Sequence, residues 1–155
     1  MSDYDFTFAH REEGFDKHIE LSIRGYKNLH DDVVTLSRYY VDEGTNVVDI
    51  GCSTGKTLEE MIKQNSSFSP HVNYIGVEVA KGFELSMIER SASIKLKYPE
   101  TNFEFEFQDI RDYDFYNCSF VTSLFTLQFM PPKDREEVIK NIYNGLNEEI
   151  GRAHV

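Results

Sequence analysis

Cysteine, positive charge and long apolar runs are all scarce in this sequence of 155 residues. The two cysteines, Cys52 and Cys118, stand far apart in no metal-ligand spacing, which favours a reduced, intracellular setting. Lysine and arginine number 16 against 27 acidic residues, giving a formal net charge of −11. Phosphate binding needs a basic surface, so this balance argues against direct nucleic-acid binding and favours a small-molecule partner.

The sequence also lacks the marks of a membrane or secreted protein. Asp3 and Asp5 stand where a signal peptide would carry basic residues, and no apolar run approaches the roughly 20 residues that cross a bilayer. The histidines are scattered without a metal-binding spacing, so we expect no metal site. We therefore predict a cytoplasmic protein that does not attach to a membrane.

What the sequence does contain is a regular alternation of strand and helix patterns. Strands are predicted at 47–51, 73–79, 103–107 and 119–125, and helices at 56–65, 83–97 and 133–145. Alternation at this spacing favours a parallel sheet with helices on both faces. We predict one three-layer, Rossmann-like α/β domain with its four strands in the spatial order 3-2-1-4.

Two helices are predicted before the first strand. Apolar residues at helical spacing indicate a helix over 14–26 that ends at Gly25: Phe15, Ile19 and Ile23. A second helix is predicted over 28–41, with Asn28 as its cap and an apolar stripe of Leu29, Val33, Leu36 and Tyr40. We interpret residues 13–41 as a helical lid over a core of 46–148.

The first strand leads into a small-residue loop, VVDIGCSTG at 47–55, which is the place where such sheets bind ligands. A phosphate-binding P-loop needs four residues between its glycines, and only three separate Gly51 from Gly55. A dinucleotide fingerprint would need glycines where Ser53 and Lys56 stand. Both nucleotide alternatives are therefore disfavoured.

S-adenosylmethionine (SAM) fits the loop better, because it carries a sulfonium and an ammonium but no phosphate. Asp49 at the end of the first strand suits that positive charge. Glu78 ends the second strand 23 residues after Gly55, where a carboxylate can accept the ribose hydroxyls. Asp109 follows the third strand and can accept from the adenine amino group. Each acid alone could be a solvated strand-end carboxylate, but the set favours the cofactor.

Several stretches resemble one known family, the class I SAM-dependent methyltransferases, and within it the branch of tRNA carboxy-SAM synthases. The stretches are FDKHIELSIRGY at 15–26, DIGCSTG at 49–55, SMIER at 86–90, DIRD at 109–112, and FTLQF at 125–129 with IYNGLN at 142–147. The glycine loop indicates only the superfamily, whereas FTLQF followed by IYNGLN is more specific. The resemblance spans essentially 6–147.

The resemblance implies an enzyme that makes carboxy-SAM from SAM and prephenate, for a partner enzyme that modifies the wobble uridine of tRNA. It implies cofactor contacts from Tyr26 in the lid, from Gly51, Cys52 and Ser53 around the methionine portion, from Glu78 and Val79 at the ribose, and from Asp109 and Ile110 at the adenine. From the loop itself we also predict Asp49 and Gly55 as cofactor-binding residues. No catalytic residue is assigned, because transfer from an activated sulfonium depends mainly on positioning.

Other readings stay open at this point. The chain could be a methyltransferase that acts on a small molecule or another acceptor, or a SAM-binding module without turnover. A homodimer also remains among the expectations.

The last residues are interpreted separately. The stretch 150–155, IGRAHV, matches one translation frame of a widely used sequencing adapter, so we take 149–155 as a non-native tail. The family pattern would continue with Pro-Gly-Gly and further strands. We therefore expect a fragment whose natural sequence continues past Glu148 and whose sheet lacks its C-terminal strands.

Overall fold

The computed structural model describes residues 14–148, which form an α/β structure with helices and parallel strands. The α-helices are α1 (Phe15–Ser22), α2 (Tyr26–Tyr40), α3 (Lys56–Asn65), α4 (Glu84–Lys97) and α5 (Pro132–Gly145). The strands are β1 (Asn46–Ile50), β2 (Asn73–Glu78), β3 (Asn102–Phe107) and β4 (Cys118–Thr122). Short 3-10 turns at Lys81–Phe83, Ile110–Asp112 and Leu127–Phe129 follow β2, β3 and β4.

The four strands form one parallel sheet in the order β3-β2-β1-β4, which confirms the predicted order. In the centre of the sheet, Val48 pairs with Ile75 on one side and with Val121 on the other. After α5 the chain returns to the outer side of β4, where Leu146 forms a parallel bridge with Cys118. The strand order changes direction at β1, so the carboxyl end of β1 is the expected position of a ligand crevice.

Alternate residues of β1 pack on opposite faces of the sheet, as its period of two requires. Val47 joins a buried cluster with Leu58 and Met61 of α3 on one face. Val48 joins a cluster with Phe115 on the other face, where Ile142 of α5 packs against it. Helices therefore cover both faces, and the predicted three-layer arrangement is confirmed.

The predicted start and buried stripe of α2 were wrong. Gly25 adopts the left-handed conformation (φ 79°) and caps the helix, which begins at Tyr26 rather than after Asn28. Leu29, Leu36 and Tyr40, predicted to be buried, are each more than a third exposed. The buried residues are His30, Val34 and Ser37. A hydrogen bond from the amide of Asn65 to the Ser37 hydroxyl (2.9 Å) joins this face of α2 to α3, which periodicity could not show.

The fourth strand is shorter than predicted. It ends at Thr122 instead of continuing to Phe125, because Phe125 takes a left-handed backbone conformation (φ 59°) that a strand cannot contain. The helix predicted over 83–97 begins as the 3-10 turn Lys81–Phe83 before α4. The first helix ends at Ser22, before the predicted stop at Gly25, because Ile23 is already extended. The remaining predicted elements agree within about two residues.

Two expectations concern the ends of the chain and the membrane. The predicted tail at 149–155 lies outside the described residues, as does residue 13 of the predicted lid. Within 14–148, no helix is long and apolar enough to cross a membrane.

Candidate cofactor-binding cleft

A cleft of about 220 Å³ opens at the carboxyl ends of the central strands. Five of the residues predicted to bind a cofactor line it: Gly51, Glu78, Val79, Asp109 and Ile110. Residues of the segment after β4 complete the wall, namely Thr126, Phe129, Met130 and Pro131. The ends of separate strands thus meet at one site, as the parallel topology requires.

The glycine loop turns sharply at the edge of this cleft. Gly51 has φ 68°, and a Cβ atom there would lie 2.2 Å from Thr126 Oγ1. The Thr126 hydroxyl donates to the carbonyl of Ile50 (3.1 Å), which brings the segment after β4 against the end of β1. Only glycine fits this close approach. Thr126 lies in FTLQF, which carries part of the family resemblance, but the sequence analysis predicts no role for this threonine.

Glu78 holds the loop through its backbone. Its Oε2 accepts from the N–H of Ser53 (2.9 Å), and its Oε1 accepts from the N–H groups of Val79 and Ala80 (2.9 Å each). A carboxylate has about four acceptor positions, so three are filled and about one remains for a ligand. This 7% exposed side chain therefore organises the loop and can accept one further hydroxyl.

Asp109 is engaged in a different way, by the side chain of Arg111. The Arg111 Nε donates to Asp109 Oδ1 (2.9 Å) and its Nη2 donates to Oδ2 (2.6 Å). The backbone N–H of Arg111 also donates to Oδ1 (2.9 Å), so three of about four acceptor positions are filled. Arg111 Nη1 also donates to Asp134 at the start of α5 (3.0 Å). The hydrogen bonds from Arg111 lower the pKa of Asp109. Asp109 thus remains ionised and keeps about one acceptor position at the cleft.

Asp49 lies beneath the loop and not among the residues that line the cleft. It is 3% exposed and accepts a hydrogen bond from the Thr122 hydroxyl (2.8 Å). Burial raises its pKa to about 7, the Thr122 hydrogen bond opposes this shift, and the charge of Glu78 adds to it. Asp49 can therefore act on a ligand through its charge at the base of the loop.

Tyr26, predicted to contact the cofactor from the lid, lies at the start of α2 and does not line the cleft. Because Gly25 caps α2, Tyr26 is the first helical residue, and its ring lies 5.9 Å from that of Phe125 in the segment after β4. Burial, followed by the charges of Asp16 and Asp49, raises the pKa of Tyr26 to about 12, so its hydroxyl stays protonated. Tyr26 lines a neighbouring polar cavity of about 390 Å³ rather than the cleft itself.

The remaining loop residues have packing roles. The Cys52 side chain is buried over Gly76, where a Cβ would lie 2.6 Å from its Sγ, and burial raises the pKa of its thiol. Gly55 (φ 78°) caps α3 and packs against Phe105. Lys56, the lysine of the P-loop alternative, forms an ion pair with Glu20 of α1.

Polar groups that the sequence did not reveal also surround the loop. Arg90 of α4 and Asp16 of α1 contact Thr54, although they are far from it in the chain. The hydroxyl of Ser123, just after β4, is buried with no hydrogen-bond partner among residues 14–148. Within the same residues, no cluster of three histidine, cysteine or acidic side chains is placed to hold a metal ion.

Comparison with known protein families assigns the chain to one of them. A family model described as a methyltransferase domain matches residues 47–149, about two thirds of the sequence. The chain belongs to this methyltransferase domain family.

Two curated relatives share an enzyme name that is more specific than the domain family. The carboxy-S-adenosyl-L-methionine synthase of Staphylococcus epidermidis is 34% identical over 146 residues, which cover 93% of this chain and 60% of that protein. The enzyme of the same name from Actinobacillus pleuropneumoniae serotype 5b is 37% identical over 145 residues, covering 92% of this chain and 58% of the relative. The chain therefore spans about three fifths of the length of these relatives.

Solved structures share the fold at low sequence identity. Magnesium protoporphyrin IX methyltransferase from Synechocystis PCC 6803, solved with bound S-adenosylhomocysteine (SAH), aligns with a TM-score of 0.60 and 17% identity over 79% of this chain and 52% of that one. A SAM-bound amino pentose methyltransferase from Micromonospora echinaspora aligns with a TM-score of 0.55 and 17% identity over 86% and 51%. At this identity the likeness concerns the Rossmann-like fold alone.

Proposed function

We propose that the chain binds SAM in the cleft at the carboxyl ends of β1, β2 and β3. The observation that carries the proposal is the meeting of Gly51, Glu78 and Asp109 in one cleft. Glu78 and Asp109 each keep about one acceptor position after their protein hydrogen bonds are counted. A ribose hydroxyl and an adenine amino group are donors of the kind that these positions can accept.

The walls of the cleft match the other parts of SAM. Val79, Ile110 and Met130 provide apolar surface for the adenine ring. The loop at 51–53 lies beside Glu78 and offers close backbone approach to the methionine portion. The ionised form of Asp49 and the charge of Glu78 favour a cationic ligand here. SAM supplies a sulfonium-activated methyl group when bound, and the residues of this chain supply position and charge.

We further propose that the whole protein makes carboxy-SAM from SAM and prephenate, for use in modifying the wobble uridine of tRNA. The support is the similarity to carboxy-S-adenosyl-L-methionine synthases over more than nine tenths of this chain. The net charge of −11 is compatible with a synthase that hands a small molecule to another enzyme and does not itself bind tRNA. The reduced cysteines Cys52 and Cys118 support a cytoplasmic location.

Titration calorimetry with SAM and with SAH tests the binding proposal. We expect saturable binding of both ligands, and no heat above dilution would overturn the proposal. As a control, Gly44→Ala alters a left-handed glycine in open space away from the cleft, and this variant should still bind both ligands.

Mass spectrometry after incubation with SAM and prephenate tests the second proposal, using the chain extended to the length of its relatives. Carboxy-SAM as a product supports carboxy-SAM synthesis. Binding of SAM without carboxy-SAM contradicts it, and methylation of an added acceptor would then indicate an ordinary methyltransferase.

A further inference from the structure

Arg90 of α4 joins three separate parts of the structure. Its Nε donates to the carbonyl of Thr54 in the glycine loop (2.7 Å). Its Nη2 donates to Asp16 of α1 (3.1 Å), and its Nη1 donates to Glu59 of α3. The planar guanidinium group can serve three acceptors at fixed angles, which a lysine ammonium cannot reproduce.

Asp16 closes the same network from the lid. Its Oδ1 accepts from the Thr54 hydroxyl (2.7 Å) while its Oδ2 accepts from Arg90. Thr54 is therefore held at its carbonyl by α4 and at its hydroxyl by α1. A second ion pair, between Lys56 and Glu20, joins α1 to the first residue of α3.

This network differs from an ordinary surface ion pair. The side chain of Arg90 is 20% exposed and that of Asp16 is 32% exposed, whereas exposed pairs such as Lys27–Asp31 have side chains that are 73% and 58% exposed. The Arg90 Cδ atom also lies close to Gly55, 3.4 Å from the place of a Cβ there. Partial burial strengthens these charge-assisted hydrogen bonds relative to exposed ones.

We propose that Arg90 and Asp16 are positioning residues that tie the lid helix α1 to the glycine loop and set that loop for the amino-acid portion of the cofactor. The inference rests on the proposed binding of SAM in the cleft. Loop residues 51–53 lie directly before Thr54, so fixing Thr54 from two sides fixes their backbone.

Docking of the lid and binding of the cofactor are then coupled. An interaction that holds α1 against the loop also orders the loop, and a ligand that orders the loop holds α1 in place. By thermodynamic reciprocity each event strengthens the other by the same factor. The coupling concerns the amino-acid portion of the ligand, because the adenine end of the cleft is built from the separate segments at 108–111 and 129–131.

Affinity measurements on charge-matched variants test this inference. Arg90→Gln and Asp16→Asn are compared with Arg38→Gln, which removes an arginine stacked on Phe68, and with Asp31→Asn, which breaks an exposed pair on α2. We expect SAH affinity to fall roughly tenfold in the first two variants and less than about twofold in the controls. Arg90→Lys should lie between, because it keeps the charge but loses the three-way geometry.

A second ligand separates positioning from general loss of structure. Methylthioadenosine has the nucleoside but lacks the amino-acid portion, and its affinity is measured by competition with SAH. We expect it to change less than about twofold in Arg90→Gln. An equal loss for both ligands, or no loss for either, overturns the positioning role.

Hydrogen exchange on the ligand-free protein tests whether Arg90 and Asp16 hold α1 against the glycine loop. Amides of α1 (Phe15–Ser22) should exchange faster in Arg90→Gln and Asp16→Asn, while those of β1 remain as in the unmodified protein. Unchanged exchange in α1 overturns the inference even if SAH binds. If the unmodified protein does not bind SAH but α1 is released in the variants, the proposed function fails and the tie is purely structural.

Discussion

The two ends of the cleft use strand-end carboxylates in opposite ways. At the loop end, Asp49 and Glu78 are 3% and 7% exposed and accept from Thr122 and from backbone N–H groups. At the proposed adenine end, the side chain of Asp109 is 32% exposed and is paired with Arg111, whose side chain is 51% exposed. The carboxylates at the loop end are therefore buried among neutral donors, whereas Asp109 combines one backbone hydrogen bond with a solvated ion pair.

The pKa values of Asp49 and Asp109 are shifted in opposite directions. Burial raises the pKa of Asp49 to about 7, whereas hydrogen bonds from Arg111 lower the pKa of Asp109. Burial acts against the charged form when a cation is distant, and a neighbouring cation acts in its favour. We infer from the hydrogen bonds that Glu78 and Asp49 accept that the loop end is preorganised before a ligand arrives.

The largest expected effect comes from Asp49→Asn. The folded pKa of about 7 lies above the ordinary value of 3.8, so the stability that protonated Asp49 contributes is fully present below about pH 4 and is lost as the pH rises through 7. The change is on the order of 4 kcal/mol across that window. Urea unfolding between pH 4 and 8 should show the unmodified protein losing stability relative to Asp49→Asn, which stays neutral. Parallel curves for the two proteins would contradict the shift.

Gly51→Ala should be next in size. The new Cβ would lie 2.2 Å from Thr126 Oγ1, and the backbone has φ 68°. Steric overlap and left-handed strain together should lower the free energy of unfolding by about 3 kcal/mol and abolish measurable SAH binding. Gly44→Ala is the matched control, since Gly44 has φ 72° in open space and should lose only about 1 kcal/mol. Equal losses in urea unfolding would show that the close approach to Thr126 has no effect.

Glu78→Gln tests the backbone hydrogen bonds at the loop end. The amide NH2 of glutamine would face one of the backbone N–H groups that now donate to Glu78, so a partly buried donor would lose its partner. We expect a loss of about 2 kcal/mol in urea unfolding and a clear loss of SAH affinity. Glu43→Gln is the control, because Glu43 accepts a single N–H from exposed His71. A loss no larger than in this control would refute the organising role of Glu78.

Arg111→Gln should have the smallest effect. It removes the ion pairs of an exposed arginine with Asp109 and Asp134, so the free energy of unfolding should change by less than about 1 kcal/mol, and added salt should diminish the difference. The pKa of Asp109 should rise, which carbon-detected NMR titration can follow. A loss as large as that of Glu78→Gln would show that the adenine end is as rigid as the loop end.

Much of the fold could be predicted because it depends on local patterns. The apolar segments and the glycine turns indicated the strands, and their alternation with helices indicated parallel pairing. The structure confirms these strands and the predicted order 3-2-1-4. The orientation of α2 could not be predicted, since the stripe that periodicity selected competes with the buried Ser37–Asn65 hydrogen bond. The end of β4 was misplaced because the left-handed Phe125 has no signal of its own in the sequence.

Some features of the candidate site could likewise be predicted from the sequence, and others could not. The sequence by itself determined which acids follow which strands and which loop is rich in small residues, because those features depend on neighbours along the chain. Only the tertiary structure decided that Asp49 is buried against Thr122 and that Arg90 and Asp16 meet at Thr54. Burial and contact between residues more than 30 positions apart depend on how the layers pack, and the charge state and rigidity of the cleft follow from that packing.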